Sequence, residues 1–504
     1  MKLKRIAVGL LKWLLGILLV LVLIHAGFNV AGGLKMRAAK QRLVAAGLPM
    51  TWKEILPPPA KDSENAAPLL KCAFDLMQPG WAHTSTNWDQ VHSIKQDFDA
   101  ASKKLQAKAW SPELMDEFIR QMSNAVTRAQ AAANTNKLDI PLSYKLTSET
   151  VEKRREWYGK LSAEPYASVL RLLREAATEP RCDFHFSFSP ENDVDPTATP
   201  FLKAGKLLGT HAHLDAEFGQ SAAALADVET MLRLAAMLQE NPLLIAQLVR
   251  ISLNAIAIEA LRCTLPTRAN TPEGVQKLPL LMAELQRNEA WRAKIFPSVV
   301  DAERLYGSMM MEKYLKGELG GVEWFPFPES LNPVVPYLLR PWFKLCFADY
   351  LDHMAVFRTA GVTPFYQNKD LVERLCSTNN IPRWDLITST IMAVMPDVTA
   401  KFDSDLAALQ LARLGLAAEL YRQAHGQYPA KLDDLAAFTT IPVDPFTGKA
   451  FVYRREGAGF KLYSLGPNQQ DDGGVTRAQA KDEDKKKYDI VWDMTSTNAV
   501  AEKK

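Results

Sequence analysis

The residues from Trp13 to Leu34 carry no charge and are dominated by Leu, Val and Ile, and no other stretch limits what this chain can fold into so sharply. About 20 consecutive apolar residues wound as a helix match the hydrocarbon core of a bilayer. Lys12 can snorkel to the headgroups, and Trp13 suits the interface beside it. The expectation is one bitopic span, with residues 1–34 forming a cytoplasmic tip and a transmembrane helix. Ala31-Gly32-Gly33 is a poor signal-peptidase site and the run exceeds an ordinary signal core, so the span is expected to stay attached. Basic residues flank both ends: Lys2, Lys4, Arg5 and Lys12 before it, Lys35, Arg37, Lys40 and Arg42 after it. Flanking charge therefore does not set the orientation.

Beyond the span the chain reads as folded and multi-domain, because 504 residues exceed one ordinary core. Lys+Arg 60 against Asp+Glu 57 leaves a formal net charge of +3, so no basic surplus points to nucleic acid. Cys72, Cys182, Cys263, Cys346 and Cys376 lie far apart without a CxxC pair, which favours buried free thiols over a zinc site or a disulfide framework.

Residues 35–62 read as a short amphipathic helix followed by a spacer that Pro57-Pro58-Pro59 stiffens. Residues 63–400 follow a helical period. Leu225, Val228, Leu232 and Ala235 form one apolar stripe, Asn241-Pro242 breaks it, and Leu244, Leu248, Ile251, Ala255 and Ile258 begin another. Two such helices make an αα-hairpin. The second is apolar enough to raise a second span, but Gln247, Arg250, Asn254 and Glu259 recur along it; an Arg near mid-membrane costs about 2.5–3.5 kcal/mol, so a buried body helix is expected. Similar segments at 163–177, 278–291, 299–315 and 337–357 extend the theme to an array of packed hairpins, solenoid-like in character but without a fixed repeat. Asp183–Ser189 alternates aromatic and polar residues as a strand does, and Glu318–Pro336 is a loop rich in Pro and aromatics.

The last hundred residues carry an ordered series: Tyr428-Pro429, Asp444-Pro445-Phe446, Tyr463-Ser464-Leu465-Gly466-Pro467-Asn468, Asp471-Asp472 and Asp489-Ile490. Leu406, Leu409, Leu416 and Leu420 give a helical face ending at His425-Gly426, where Gly suits a left-handed cap. Strands are expected at 450–455, 459–464 and 488–493. This series resembles the globular head of the type II secretion major pseudopilins, over residues 401–495, with 496–504 a polar tail. The resemblance implies a small α+β head with an antiparallel sheet and a calcium ion in the loop between its last strands. Carried over to this chain, the ligands would be the Leu465 carbonyl, Asn468 in place of an Asp, Asp471, Asp472 and Asp489. Calcium takes six to eight oxygens of this mixed kind. A charged insertion, Thr476–Lys487, separates Asp472 from Asp489, and the N-terminus lacks the prepilin segment of the family.

Chemistry elsewhere is sparse in the sequence. There is no Gly-x-Ser-x-Gly elbow, P-loop, Gly-x-Gly-x-x-Gly or His-Glu-x-x-His. Cys182, His185, His211, His213 and Asp215 are the densest metal-type set, yet on a helix only His211 and Asp215 share a face, so surface or cap histidines are the default. The chain therefore reads as mainly α: a transmembrane helix, a large helical body and a pseudopilin-like head. Its expected role is non-enzymatic, a single-pass protein of the cytoplasmic (inner) membrane whose extracytoplasmic bulk contacts protein partners of a secretion or pilus-like system. The rival is a membrane-anchored hydrolase with its site in the helical body.

Overall fold

The structure is a computed structural model describing residues 2–78, 87–108, 110–130, 149–184, 197–268, 272–290, 292–316, 335–377, 379–480 and 488–495. It is mainly helical, with a long apolar N-terminal helix and a three-stranded antiparallel sheet near the C-terminus. The helices are α1 (Lys2–Ala45), α2 (Ala67–Met77), α3 (Asn87–Ala107), α4 (Pro112–Gln130), α5 (Val151–Leu161), α6 (Tyr166–Ala176), α7 (Ala198–Glu217), α8 (Ser221–Met237), α9 (Leu244–Arg268), α10 (Pro272–Glu289), α11 (Arg292–Lys316), α12 (Val335–Ala360), α13 (Phe365–Cys376) and α14 (Leu386–His425). The strands are β1 (Val452–Glu456), β2 (Gly459–Ser464) and β3 (Ile490–Asp493), in the order β1-β2-β3.

No break separates span from juxtamembrane segment, since α1 runs unbroken through 44 residues. Gly32 does not interrupt the helix. A Cβ there would lie 3.0 Å from the Pro341 carbonyl oxygen and 3.0 Å from Lys344 Cβ, so the missing side chain lets α1 and α12 approach closely. Gly47, with φ +67, ends the excursion after α1.

The expected hairpin is α8 and α9, joined through a short 3-10 turn at Leu238–Glu240. Both pack on α7, and α9 also meets α14. Its polar residues explain why it belongs to the body. Gln247, Arg250 and Asn254 are fully buried, the Arg250 guanidinium lies 2.9 Å from Asp405 of α14, and Asn254 donates to the same carboxylate at 3.1 Å. An ion pair in the interior is tolerated only where opposite charge and hydrogen bonds offset its desolvation. Two large apolar clusters fill the body among the described residues, one around α2, α6, α7, α8 and α10 that continues into the sheet region and one around α11, α12 and α14 that also takes Ala39 and Leu43 of α1, with a smaller third of Tyr314, Phe343, Cys346 and Ile387.

The head begins inside α14, a 40-residue helix that crosses the expected boundary near residue 400 without a break. It ends at His425, where Gly426 takes the left-handed conformation at φ 74, as expected. Trp492 of β3 is buried against Gly415, leaving no room there for a Cβ. Strand β2 has the bounds expected, and β1 and β3 start two residues later than expected. Most of the Asp183–Ser189 strand expectation and of the Glu318–Pro336 loop lies outside the described residues.

Candidate functional site

Three places concentrate polar chemistry, and the densest lies where α5, α6, α7 and α8 meet. His211 and Asp215 stand one turn apart on α7, as their spacing dictates, and Asp227 reaches them from α8. All three are buried. Among the described residues this is the only group of three His, Cys, Asp or Glu side chains whose ligand atoms all lie within 4.8 Å of one another. His211 Nδ1 lies 2.7 Å from Asp227 Oδ2 and 3.1 Å from Asp215 Oδ2. Arg174 of α6 closes the other side, its Nη2 lying 2.6 Å from Asp227 Oδ1. The Tyr158 hydroxyl faces Asp215, and burial followed by that carboxylate raises its pKa.

Two carboxylates converge on one imidazole nitrogen, so either a proton or a cation must sit between them. Burial opposes charge on His211, but hydrogen bonds and attraction from Asp215 and Asp227 outweigh it and push the imidazole up to about 9. The protonated ring and Arg174 then balance the two carboxylates. A divalent cation could be held by His211 Nδ1 and one oxygen of each Asp. It would displace the proton and, with Arg174 still present, leave an uncompensated positive charge in the interior, so neutrality favours the proton. The expectation of a surface or cap histidine is thus corrected for His211. His213 is outside the centre, with its pKa lowered by burial, and Cys182 lines a different cleft with Arg181, Asp183, Phe184 and Glu240. His185 lies outside the described residues.

The second place is the acidic loop of the head. Asp444 organises its entry: one oxygen accepts from Phe446 N at 2.9 Å and Ser464 Oγ at 2.8 Å, the other from Leu465 N at 3.3 Å. Asn468 Nδ2 donates to Asp472 at 2.8 Å. Asp471 accepts from Tyr463 Oη at 2.9 Å and from Gly473 N at 2.9 Å, and its other oxygen meets Arg454 at 3.0 Å. The Gly473 amide, with Tyr463 and Arg454, holds the Asp471 carboxyl below its usual range despite some burial. Asp489 behaves oppositely. It is 2% exposed, its Oδ2 accepts from Gly474 N at 2.7 Å, and its Oδ1 is buried without a hydrogen-bond partner. Burial raises its pKa, the amides of Gly474 and Asp472 offset part of this, and the Asp472 and Asp471 charges add to it. Gly473 and Gly474, at φ +78 and +75, permit the turn that brings Asp489 beside Asp472.

The third place is α1 itself. From Val8 it is long and apolar enough to cross a membrane, and the apolar window has none of its residues buried within the structure. From His25 onward it lies along α12: His25 Nε2 is 3.2 Å from the carbonyls of Tyr337 and Leu338, and Lys344 Nζ donates to Asn29 Oδ1 at 2.7 Å. Farther on, Lys35 pairs with Asp349 at 2.6 Å and Arg42 with Asp352 at 2.6 Å. Comparison with family models, curated proteins and solved structures finds no match to this chain.

Proposed function

We propose that this is a single-span envelope protein of structural and interaction type, anchored in the cytoplasmic membrane by α1 with its helical body and head outside the cytoplasm. The division of α1 carries the reading. Its first half presents Leu, Val and Ile to the surroundings on every face, and its second half is bound into the body by Lys35–Asp349 and Arg42–Asp352. A removable leader would have little use for a continuous helix tied to the fold at its far end. The outward orientation and the link to a secretion or pilus-like system rest on the head's resemblance to the pseudopilins. Carbonate washing should leave the protein in the membrane fraction, and a soluble form starting near Leu34 would overturn the anchor. An alkaline phosphatase fusion after Lys504 should be active. Affinity recovery of the detergent-solubilised protein should bring secretion components with it.

The reading includes a calcium ion in the head loop. What supports it is the buried, unpartnered Oδ1 of Asp489 beside Asp472 and Asp471, a donor arrangement that suits a hard cation. Asp489, Asp472, Asp471, Asn468 and the Leu465 carbonyl would hold it, and the bound ion would supply charge compensation that clamps the loop to β3. The rival hydrolase has His211, Asp215 and Asp227 as its best residues, but Arg174 and Tyr158 already engage both carboxylates, which suits a structural network better than a catalytic one.

A further inference from the structure

We infer that α1 does not cross the membrane alone: the first two turns of α12, around Tyr337 and Leu338, are embedded in the far leaflet beside it and form a lipid-facing shelf of the body. This rests on the α1 span proposed above and adds a second, partial insertion to it.

If the hydrocarbon begins at Trp13, just past Lys12, a core of about 30 Å extends about 20 residues along the helix. His25 lies only about 18 Å from Trp13 at 1.5 Å per residue, yet it already touches the Tyr337 and Leu338 carbonyls. The body therefore meets α1 well before the bilayer ends. Trp13 to Lys35, by contrast, is about 33 Å of helix, which matches the hydrocarbon thickness.

The chemistry of α12 changes at the same level. Tyr337 and Leu338 are 58% and 57% exposed. Phe28, Val30 and Leu34 on α1 are also exposed at this height. Arg340 lies over the Tyr337 ring at 5.6 Å from its centroid, and its long stem allows it to snorkel. Trp384 sits where the apolar zone ends: the Lys35 ammonium lies 5.8 Å from its ring centroid, and its carbonyl accepts from Trp342 Nε1 at 2.6 Å. Tryptophan favours the membrane–water boundary, so Trp13 marks one face of the bilayer and Trp384 the other. His25 gains its place in this arrangement, since its ring nitrogen meets α12 carbonyls where water is excluded.

Nitroxide labels on the full-length protein in vesicles of phosphatidylethanolamine and phosphatidylglycerol test this directly. Single cysteines would be placed at Leu19, Leu338 and Glu456, in a background with Cys182 and Cys263 replaced by serine, and their collisions with oxygen and with a water-soluble nickel chelate compared. The oxygen-to-chelate ratio at Leu338→Cys should approach that at Leu19→Cys and exceed that at Glu456→Cys several-fold. A lipid signal at position 19 with a water signal at 338 would overturn the shelf and leave the span standing. A water signal at 19 would overturn the span, and the shelf with it. Melting curves of the labelled variants matching the unlabelled protein would show that the fold was retained.

Discussion

The His211 centre of the body and the acidic loop of the head both gather carboxylates in the interior, yet they solve the problem of buried charge in opposite ways. Asp227 meets an imidazolium and a guanidinium, and Asp215 stands 3.1 Å from the same imidazolium, so opposite charge offsets both within the protein even though Asp215 Oδ2 makes no hydrogen bond. Asp489 Oδ2 accepts from the Gly474 amide while its Oδ1 is buried without a hydrogen-bond partner, with Asp472 and Asp471 adding like charge nearby. The first is closed by residues from three helices. The second stays electrostatically open and invites a counter-ion from solution.

The largest effect that could break this contrast is expected at Asp227→Ala, which strips the partner from both His211 and Arg174. Removing one member of a buried ion pair costs about 3–5 kcal/mol. The purified protein should melt markedly lower in a calorimeter, and an unchanged melting temperature would mean that the centre is not the charge-balanced unit described. Next comes calcium. At a hundredfold excess over its dissociation constant it should add about 2.7 kcal/mol to the head by mass action. Asp472→Ala should abolish that gain. Neither chelator nor added divalent ions should act through the His211 centre, so a calcium response that survives in Asp472→Ala but disappears in Asp215→Asn would reverse the assignment.

Proton linkage separates the two regions further. His211 has its folded pKa raised to about 9, so its contribution is fully present below the unfolded value near 6.5 and fades as pH rises through about 9. Melting temperatures measured across that window should fall less steeply in His211→Gln than in the parent. The smallest effect should have the opposite sign. Asp489→Asn, without calcium, removes a desolvated charge and its repulsion with Asp472 and should raise stability slightly while removing the calcium response. Destabilisation by that substitution in chelator would show that the carboxylate is already satisfied.

How far such features can be read from sequence depends on whether they are local. The cap at Gly426, the bounds of β2 and the break between α8 and α9 follow from residue type and period within a few positions. His211 and Asp215 are legible as a pair for the same reason. Asp227 is not, because its approach depends on how α7 packs against α8, which no local spacing encodes. Arg250 and Asp405 are a stronger case: they lie 155 residues apart, and only the regular recurrence of polar groups on an apolar helix hints that something must meet them. The apolar run ends at Leu34, but α1 continues through that point to Ala45, with Gly32 in contact with α12. Near residue 400, likewise, α14 runs without a break from the helical body into the segment that packs on the sheet.

That last helix has a mechanical meaning. At 40 residues α14 is a rod of about 60 Å that packs on α9, α10, α12 and α13 of the body and on β2 and β3 of the sheet. A pull on the sheet would travel down this strut into α12, and from α12 through the Asp349 and Asp352 ion pairs into α1. Pro396, which removes one rung of the helix ladder, is the compliant point along that line. The sheet and α1 are therefore joined through α14 and α12 by an unbroken series of contacts, alongside those that α14 makes with α9 and α10.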